Sequence, residues 1–213
     1  MAKWMWIIGG PNGAGKTTFT NEFKTTLSEV WGMRDLTALN ADDLAEKLRP
    51  RHLDKPLDAV NLMAVQETDA TLLNCIRSGK DILIETVLST DKYRDDVLEA
   101  KDKGYKIGFV YVSLDPAELS PARVDLRTKK GGHDVPVQKA LERLEKSHAQ
   151  AAWFAAQADF VAAFDNSSCE SPVLIASKLA GREIVLREPG INQRLDRVFE
   201  ALTKKRGDSP SPG

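Results

Sequence analysis

The chain has 213 residues, 42% of them hydrophobic, enough to bury one substantial α/β core but not two independent ones. With 30 basic against 31 acidic residues the formal net charge is −1, so the overall balance calls for neither nucleic acid nor an anionic membrane surface as partner. The only two cysteines, Cys75 and Cys169, lack metal-ligand spacing, exclude a disulfide framework and fit a reducing cytoplasm.

In chain order, the first element is a core strand through Trp6-Ile7-Ile8, an apolar stretch far too short for a signal h-region or a membrane span. Gly10-Pro11-Asn12-Gly13-Ala14-Gly15-Lys16-Thr17 follows, and then a helical run from Thr18 to Leu27. This is the phosphate-binding pattern G-x-x-x-x-G-K-[ST] in its strand–loop–helix setting, and it predicts a bound nucleoside triphosphate. A triphosphate needs backbone N–H groups turned inward, and glycines let the chain approach it without Cβ clashes. The helix N-terminus adds partial positive charge. Lys16 is expected to reach the β- and γ-phosphates and the Thr17 hydroxyl to ligate Mg²⁺, with Thr18 in the first helical turn against the nucleotide.

Further apolar runs occur at Leu36 to Leu39, Ile82 to Ile84, Ile107 to Val112 and Phe160 to Phe164, with helical patterning between them. This alternation predicts a P-loop NTPase of the kinase type, a parallel five-stranded sheet flanked by helices. One helix carries Leu57, Val60, Ala64, Leu72 and Ile76 and is expected to end near Ser78-Gly79. A late strand at Ile184 to Leu186 and a closing helix over Ile191 to Leu202 complete the domain. The reading is one domain over 1–206, with a disordered tail at 207–213 that has no apolar residue to bury.

Between Ser120 and Ser147 the chain turns basic and glycine-containing, with Arg123, Arg127, Lys129, Lys130, Gly131, Gly132 and His133 ahead of a Pro136-initiated helix that carries Arg143. Beside a phosphate loop this predicts a small helical lid, about 116–150. Arg123 and Arg127 share a helix face, and the glycine pair allows a hinge. A solvated charged helix pair is the bland alternative.

No Asn-Lys-x-Asp guanine-reading element and no Leu-Ser-Gly-Gly-Gln signature occurs. Instead Asn40-Ala41-Asp42-Asp43 follows the second strand and Glu85-Thr86-Val87 the third, both at carboxyl ends of strands, where ligand crevices of parallel sheets lie. Phosphoryl transfer needs an in-line acceptor, a base for its hydroxyl, and cations on the equatorial oxygens. Asp42 is the candidate base, Glu85 orients the acceptor or water around Mg²⁺, and the lid arginines 123, 127 and 143 neutralise developing charge. A helix N-cap is the alternative role for Asp42, and capping or first-turn charge is the reading for Asp43.

Together these residues resemble the zeta toxin family, in particular its short bacterial branch. The resemblance rests on 10–18, Asn40-Ala41-Asp42, Glu85-Thr86-x-Leu88-Ser89, Gly104-Tyr105, Arg123-Val124-x-x-Arg127, Gly131-Gly132-His133-x-Val135-Pro136, Arg143 and Asp165-Asn166-Ser167. It implies ATP-dependent phosphorylation of a hydroxyl on a nucleotide sugar, typically the 3′-hydroxyl of the amino sugar in UDP-N-acetylglucosamine, by a toxin held by a separate antitoxin or by a housekeeping enzyme. By the same resemblance Lys16 and Thr17 handle phosphates and Mg²⁺, Asp42 is the base, Glu85 sits by the acceptor and Arg123 is a lid arginine. His133 stands about where larger members place a second arginine, so Arg127 or Arg143 is expected to supply that charge. Larger members also carry a threonine two residues beyond the strand-end glutamate, where this chain has Val87. Asn166, at a strand end, is expected either to border the adenine or to form a side-chain turn. Two other readings use the same residues: an ATPase or switch that signals to a protein partner without a small-molecule acceptor, and a polynucleotide 5′-hydroxyl kinase. The missing basic and aromatic tract argues against the last.

Overall fold

The computed structural model describes residues 2–33, 35–114, 137–168 and 171–203. In chain order these form β1 (Trp4–Gly9), α1 (Lys16–Glu29), β2 (Leu36–Leu39), α2 (Ala41–Leu48), a 3₁₀ turn (Arg49–Arg51), α3 (Leu57–Ser78) and β3 (Asp81–Thr86). They continue with α4 (Arg94–Asp102), β4 (Lys106–Ser113), α5 (Val137–Gln157), β5 (Phe160–Asp165), β6 (Val173–Lys178), β7 (Val185–Leu186) and α6 (Gln193–Thr203).

The strands make one sheet in the order β2-β3-β1-β4-β5-β6-β7. The expected five parallel strands are all present, β1 lying between β3 and β4. Beyond the expectation, β6 and β7 extend the sheet with antiparallel pairings. The expected late strand is β7; β6 went unread because a short apolar run after Ser171-Pro172 has no periodicity of its own.

Alternation along β1 assigns its side chains to two cores. Trp6 and Ile8 join Leu83, Val110 and Val112 under α1, whose Leu27 closes that layer. Met5 and Ile7 join Ile82, Ile84, Ile107 and Phe109 on the other face, covered by Leu72, Cys75 and Ile76 of α3, Val97 of α4, Phe154 of α5 and Phe199 of α6. Burying each such aliphatic or aromatic side chain stabilises the fold by about 1.5–3 kcal/mol, which is why the central strands are apolar on both faces. α3 ends where expected, on Gly79 at φ 73. The N-terminal half of α3 packs on α2 instead, through Ala45, Leu48, Val60 and Ala64, as a separate small cluster.

These connections fix where chemistry can occur. From β1 the chain runs first to the β2–β3 side of the sheet and later to the β4–β5 side, so the crevice opens at the carboxyl end of β1, where the phosphate loop lies. Arg123, Arg127 and His133 lie outside the described residues, as do Cys169 and the 207–213 tail. The Pro136-initiated helix is α5, which packs Leu144, Ser147, His148 and Ala151 into the interior.

Candidate active site at the phosphate loop

The loop between β1 and α1 is built around glycines that nothing else could replace. A Cβ on Gly10 would sit 2.0 Å from the Val112 carbonyl oxygen of β4. Gly15 holds φ 88 as the N-cap of α1, and a Cβ there would lie 2.6 Å from Nδ2 of Asn166. That same Asn166 amide donates to the Ala14 carbonyl at 2.9 Å, while its backbone N–H donates to the Ser113 carbonyl at 2.8 Å. Asn166 therefore braces the loop from β5. The side-chain turn at this strand end belongs to its neighbour Asp165, whose carboxylate accepts from the Ser167 N–H and hydroxyl and from the Asn192 amide.

Lys16 is almost wholly buried and donates to the Pro11 carbonyl at 2.9 Å, across the loop it belongs to. The Thr17 hydroxyl donates to Oε1 of Glu85 at 2.7 Å. Giving its proton to a carboxylate makes the Thr17 oxygen a better cation ligand, so the pair fits a Mg²⁺ that keeps several waters and takes its remaining oxygens from phosphates. No cluster of three or more His, Cys, Asp or Glu side chains able to hold a metal exists among the described residues.

Glu85 is the last residue but one of β3 and is buried. After it the chain turns sharply: the Thr86 hydroxyl accepts the Leu88 N–H at 3.1 Å, and buried Leu88 adopts φ 57, a left-handed conformation a leucine holds only under tertiary constraint. The Thr86 hydroxyl is thereby used in the turn.

Across the cleft, Asn40 is the N-cap of α2, its Oδ1 accepting from the N–H groups of Asp42 at 3.0 Å and Asp43 at 3.3 Å. Capping is thus done by Asn40, and Asp42 and Asp43 stand in the first turn, which the helix dipole favours. Asp42 is exposed at the cleft; Asp43 is half-buried, and burial first, then the charges of Glu85 and Glu46, push its carboxyl above the usual range.

Asn12, Gly13, Gly15, Lys16, Thr17, Thr18, Asp42, Asp43 and Glu85 thus line one cleft of about 430 Å³. Of the expected site residues, Gly10, Pro11 and Ala14 shape the loop without lining the cleft. Arg143 sits in α5, one turn before Ser147, and is not among the residues lining this cavity. Sequence reasoning undervalued Asp43 and missed the group beyond the Leu88 turn, where Lys92 pairs with Asp69 at 2.7 Å. Beside that pair, burial and the Asp69 charge raise the Asp96 carboxyl to about 6. Burial together with the charges of Asp69, Asp96 and Asp42 raises the Tyr93 phenol.

The sequence model of one family, described as Zeta toxin, matches residues 2–170. The chain belongs to the zeta toxin family. No curated protein matches it. Among solved structures it is similar to a chain of the AvrRxo1-ORF1:-ORF2 complex with ATP, at TM-score 0.66 and 15% identity over 100% of this chain and 66% of that one. It therefore spans just under two thirds of that protein's length. A chain from the PezAT chromosomal toxin–antitoxin system of Streptococcus pneumoniae gives TM-score 0.55 and 16% identity, covering 80% of this chain and 71% of that one. A chain of the Pnkp1/Rnl/Hen1 RNA repair complex gives 0.51 at 20% identity, covering 70% of this chain and 46% of that one. At such identities these likenesses establish the fold, and this zeta toxin family member shares it. No helix among the described residues is long and apolar enough to cross a membrane.

Proposed function

We propose that this zeta toxin family member is an ATP-dependent phosphotransferase that moves the γ-phosphate to a hydroxyl of a nucleotide sugar of the UDP-N-acetylglucosamine kind, as a cytoplasmic toxin restrained by a protein antitoxin. The observation that carries the reading is the convergence of Lys16, the Thr17–Glu85 hydrogen bond and Asp42 on one cleft with room for an acceptor. A switch without an acceptor has no use for a cavity running from the phosphate loop to Asp42.

In this mechanism the loop amides and the α1 N-terminus hold the phosphates, and the Lys16 ammonium exchanges its Pro11 carbonyl for β- and γ-phosphate oxygens. Mg²⁺, when bound beside Thr17, neutralises charge on the β- and γ-oxygens. Asp42, exposed at the mouth of the cleft, accepts the acceptor hydroxyl's proton as its oxygen bonds to the γ-phosphorus and the bond to ADP breaks. Glu85 orients the acceptor around the Thr17 site. Asn166 serves the nucleotide by bracing the loop. In a single domain over 1–206, Arg123 and Arg127 of the lid read at about 116–150 are the cations assigned to the transferring phosphoryl group, with Arg143, on the core-packed α5, the further candidate for that charge.

Incubation with γ-labelled ATP and a panel of UDP-sugars, nucleosides and NAD is expected to label one acceptor. Asp42→Asn abolishes that transfer and leaves ATP affinity within about twofold, since it removes a base and no phosphate contact. Label released only as free phosphate with every acceptor would overturn the reading.

A further inference from the structure

The contact of Asn166 with the phosphate loop has little slack. Its amide nitrogen donates to the Ala14 carbonyl at 2.9 Å and lies 2.6 Å from where a Cβ on Gly15 would stand, so it approaches the loop along a line that only glycine leaves open. A side chain keeps such a position only if the strand end that carries it is itself held. On the β4 side the Asn166 N–H donates to the Ser113 carbonyl and continues the ladder. On the other side the β5–β6 pairing shifts register between Ala163 and Phe164, just before β5 ends. Side-chain bonds to Asp165 make up for that irregularity.

Asp165 is 4% exposed, and its carboxylate accepts from the Ser167 N–H at 3.1 Å, the Ser167 hydroxyl at 2.9 Å and Nδ2 of Asn192 at 2.7 Å. The two bonds from Ser167 are local and move with the strand end. The bond from Asn192 ties that end to another element. Asn192 is fully buried and caps α6: its Oδ1 accepts the Leu195 N–H at 3.0 Å and its carbonyl accepts the Asp196 N–H at 2.9 Å. The approach to this cap is pinned as well, since the Gly190 N–H donates to Oδ2 of Asp196 at 2.7 Å. α6 is fixed in turn by Leu195 and Phe199, both fully buried in the core. Capping needs only an oxygen, which serine or aspartate supplies as well as asparagine does. What asparagine adds is an amide donor, and here it is used on Asp165.

We propose that Asn192 is a positioning residue of the nucleotide site: through Asp165 it fixes the end of β5, so that Asn166 holds the Ala14 carbonyl and the loop amides stay turned towards the phosphates. The inference rests on the reading of the loop as an ATP site. It makes α6, which lies beyond the residues that the zeta toxin model matches, part of the support of that site and not of the core alone.

Titration of the full chain with a fluorescent non-hydrolysable ATP analogue and Mg²⁺, alongside thermal unfolding, tests this. Asn192→Ser keeps an oxygen for the Leu195 N–H but has no amide to reach Asp165, and its affinity for the analogue is expected to fall about threefold. Asn166→Ala is expected to weaken binding about fivefold, and adding Asn192→Ser to it leaves the loss at about fivefold instead of about fifteenfold, because both act through one bond to the loop. Ile76→Val trims the core in α3 near the start of β3, at the end of the sheet opposite the loop, and is expected to lower Tm with affinity unchanged. Unchanged affinity in Asn192→Ser, or losses that multiply in the double variant, would overturn the proposal and leave Asn192 a helix cap only. A fall in affinity in Ile76→Val equal to that in Asn192→Ser would overturn it too, since lost stability would then account for both. A wild-type chain that binds no ATP analogue would overturn the reading of the loop along with this one, whereas the other failures leave that reading standing.

Discussion

Burial between α5 and β4 is the main force that lowers the His148 imidazole to about 4, with the Arg194 guanidinium adding to it and Glu145 opposing it. The ring stays neutral, Nε2 lying 2.7 Å from the Ser113 hydroxyl, while the adjacent Ser147 meets the Tyr111 hydroxyl at 2.9 Å. Unfolded, the same imidazole titrates near 6.5, so between the two values the unfolded chain binds a proton that the native chain refuses. The contribution is fully present above about pH 6.5 and is lost as pH falls towards 4, in total about 3 kcal/mol. Urea unfolding at pH 5 and pH 7 is expected to show a smaller acid loss of stability for His148→Gln, which keeps a polar group for Ser113 without a titrating ring. An equal loss in both proteins would mean that other groups carry the acid sensitivity. Residue-scale chemistry of this sort was invisible in the sequence, where His148 is one polar position in a helical pattern. The carboxylates were half-legible. Asn40-Ala41-Asp42-Asp43 announced an acidic strand end, but which carboxylate is exposed and which is half-buried depends on the rotation of α2, set by the Asn40 cap and by Ala45 and Leu48 packing on α3.

At the scale of elements, the phosphate loop is not held by α1 alone. Its Ala14 carbonyl is tied to the Asn166 side chain, its Gly10 lies against the Val112 carbonyl, and Leu88 closes over Gly9, where a Cβ would come within 2.9 Å of the leucine side chain. The end of β4 and the residue after β5 thus contact the loop between β1 and α1, and the turn after β3 contacts the end of β1. Asn166→Ala removes one hydrogen bond from a loop whose shape is the binding site, and is expected to raise the KM for ATP about fivefold while leaving the acceptor KM unchanged. Steady-state kinetics with each substrate varied in turn checks it; a rise confined to the acceptor KM would place Asn166 elsewhere in the mechanism. The loop motif itself was fully legible, because its glycines and Lys16-Thr17 answer to the ligand and hardly to the rest of the fold. The bracing was not, because Asn166 lies 152 positions from Ala14 in the chain.

For the whole molecule, the sheet's centre is set by bulk. Trp6 is completely buried in β1 and its six-membered ring lies over Gly108 of β4, where a Cβ would come within 2.2 Å of Cε3. Around it Trp4, Phe23, Trp31 and Phe160 complete an aromatic layer between the sheet and α1. Gly108→Ala is therefore expected to cost about 1–3 kcal/mol through overpacking. That corresponds to a fall in Tm of roughly 2–12 °C for a domain of this size, measurable by thermal unfolding. An unchanged Tm would show that the Trp6 layer yields without cost.

The sequence by itself determined the alternation of five strands with helices, the phosphate loop, the two acidic strand ends and the family, because each is a local pattern in which residue type answers to one nearby physical demand. Only the tertiary structure decided that Asn166 braces the loop, that Thr86 is used in a turn, that β6 extends the sheet antiparallel, and that the cap of α6 reaches Asp165. Those features are made by residues far apart in the chain, and their geometry exists only once burial of the two apolar faces of the sheet has fixed how the helices lie against it.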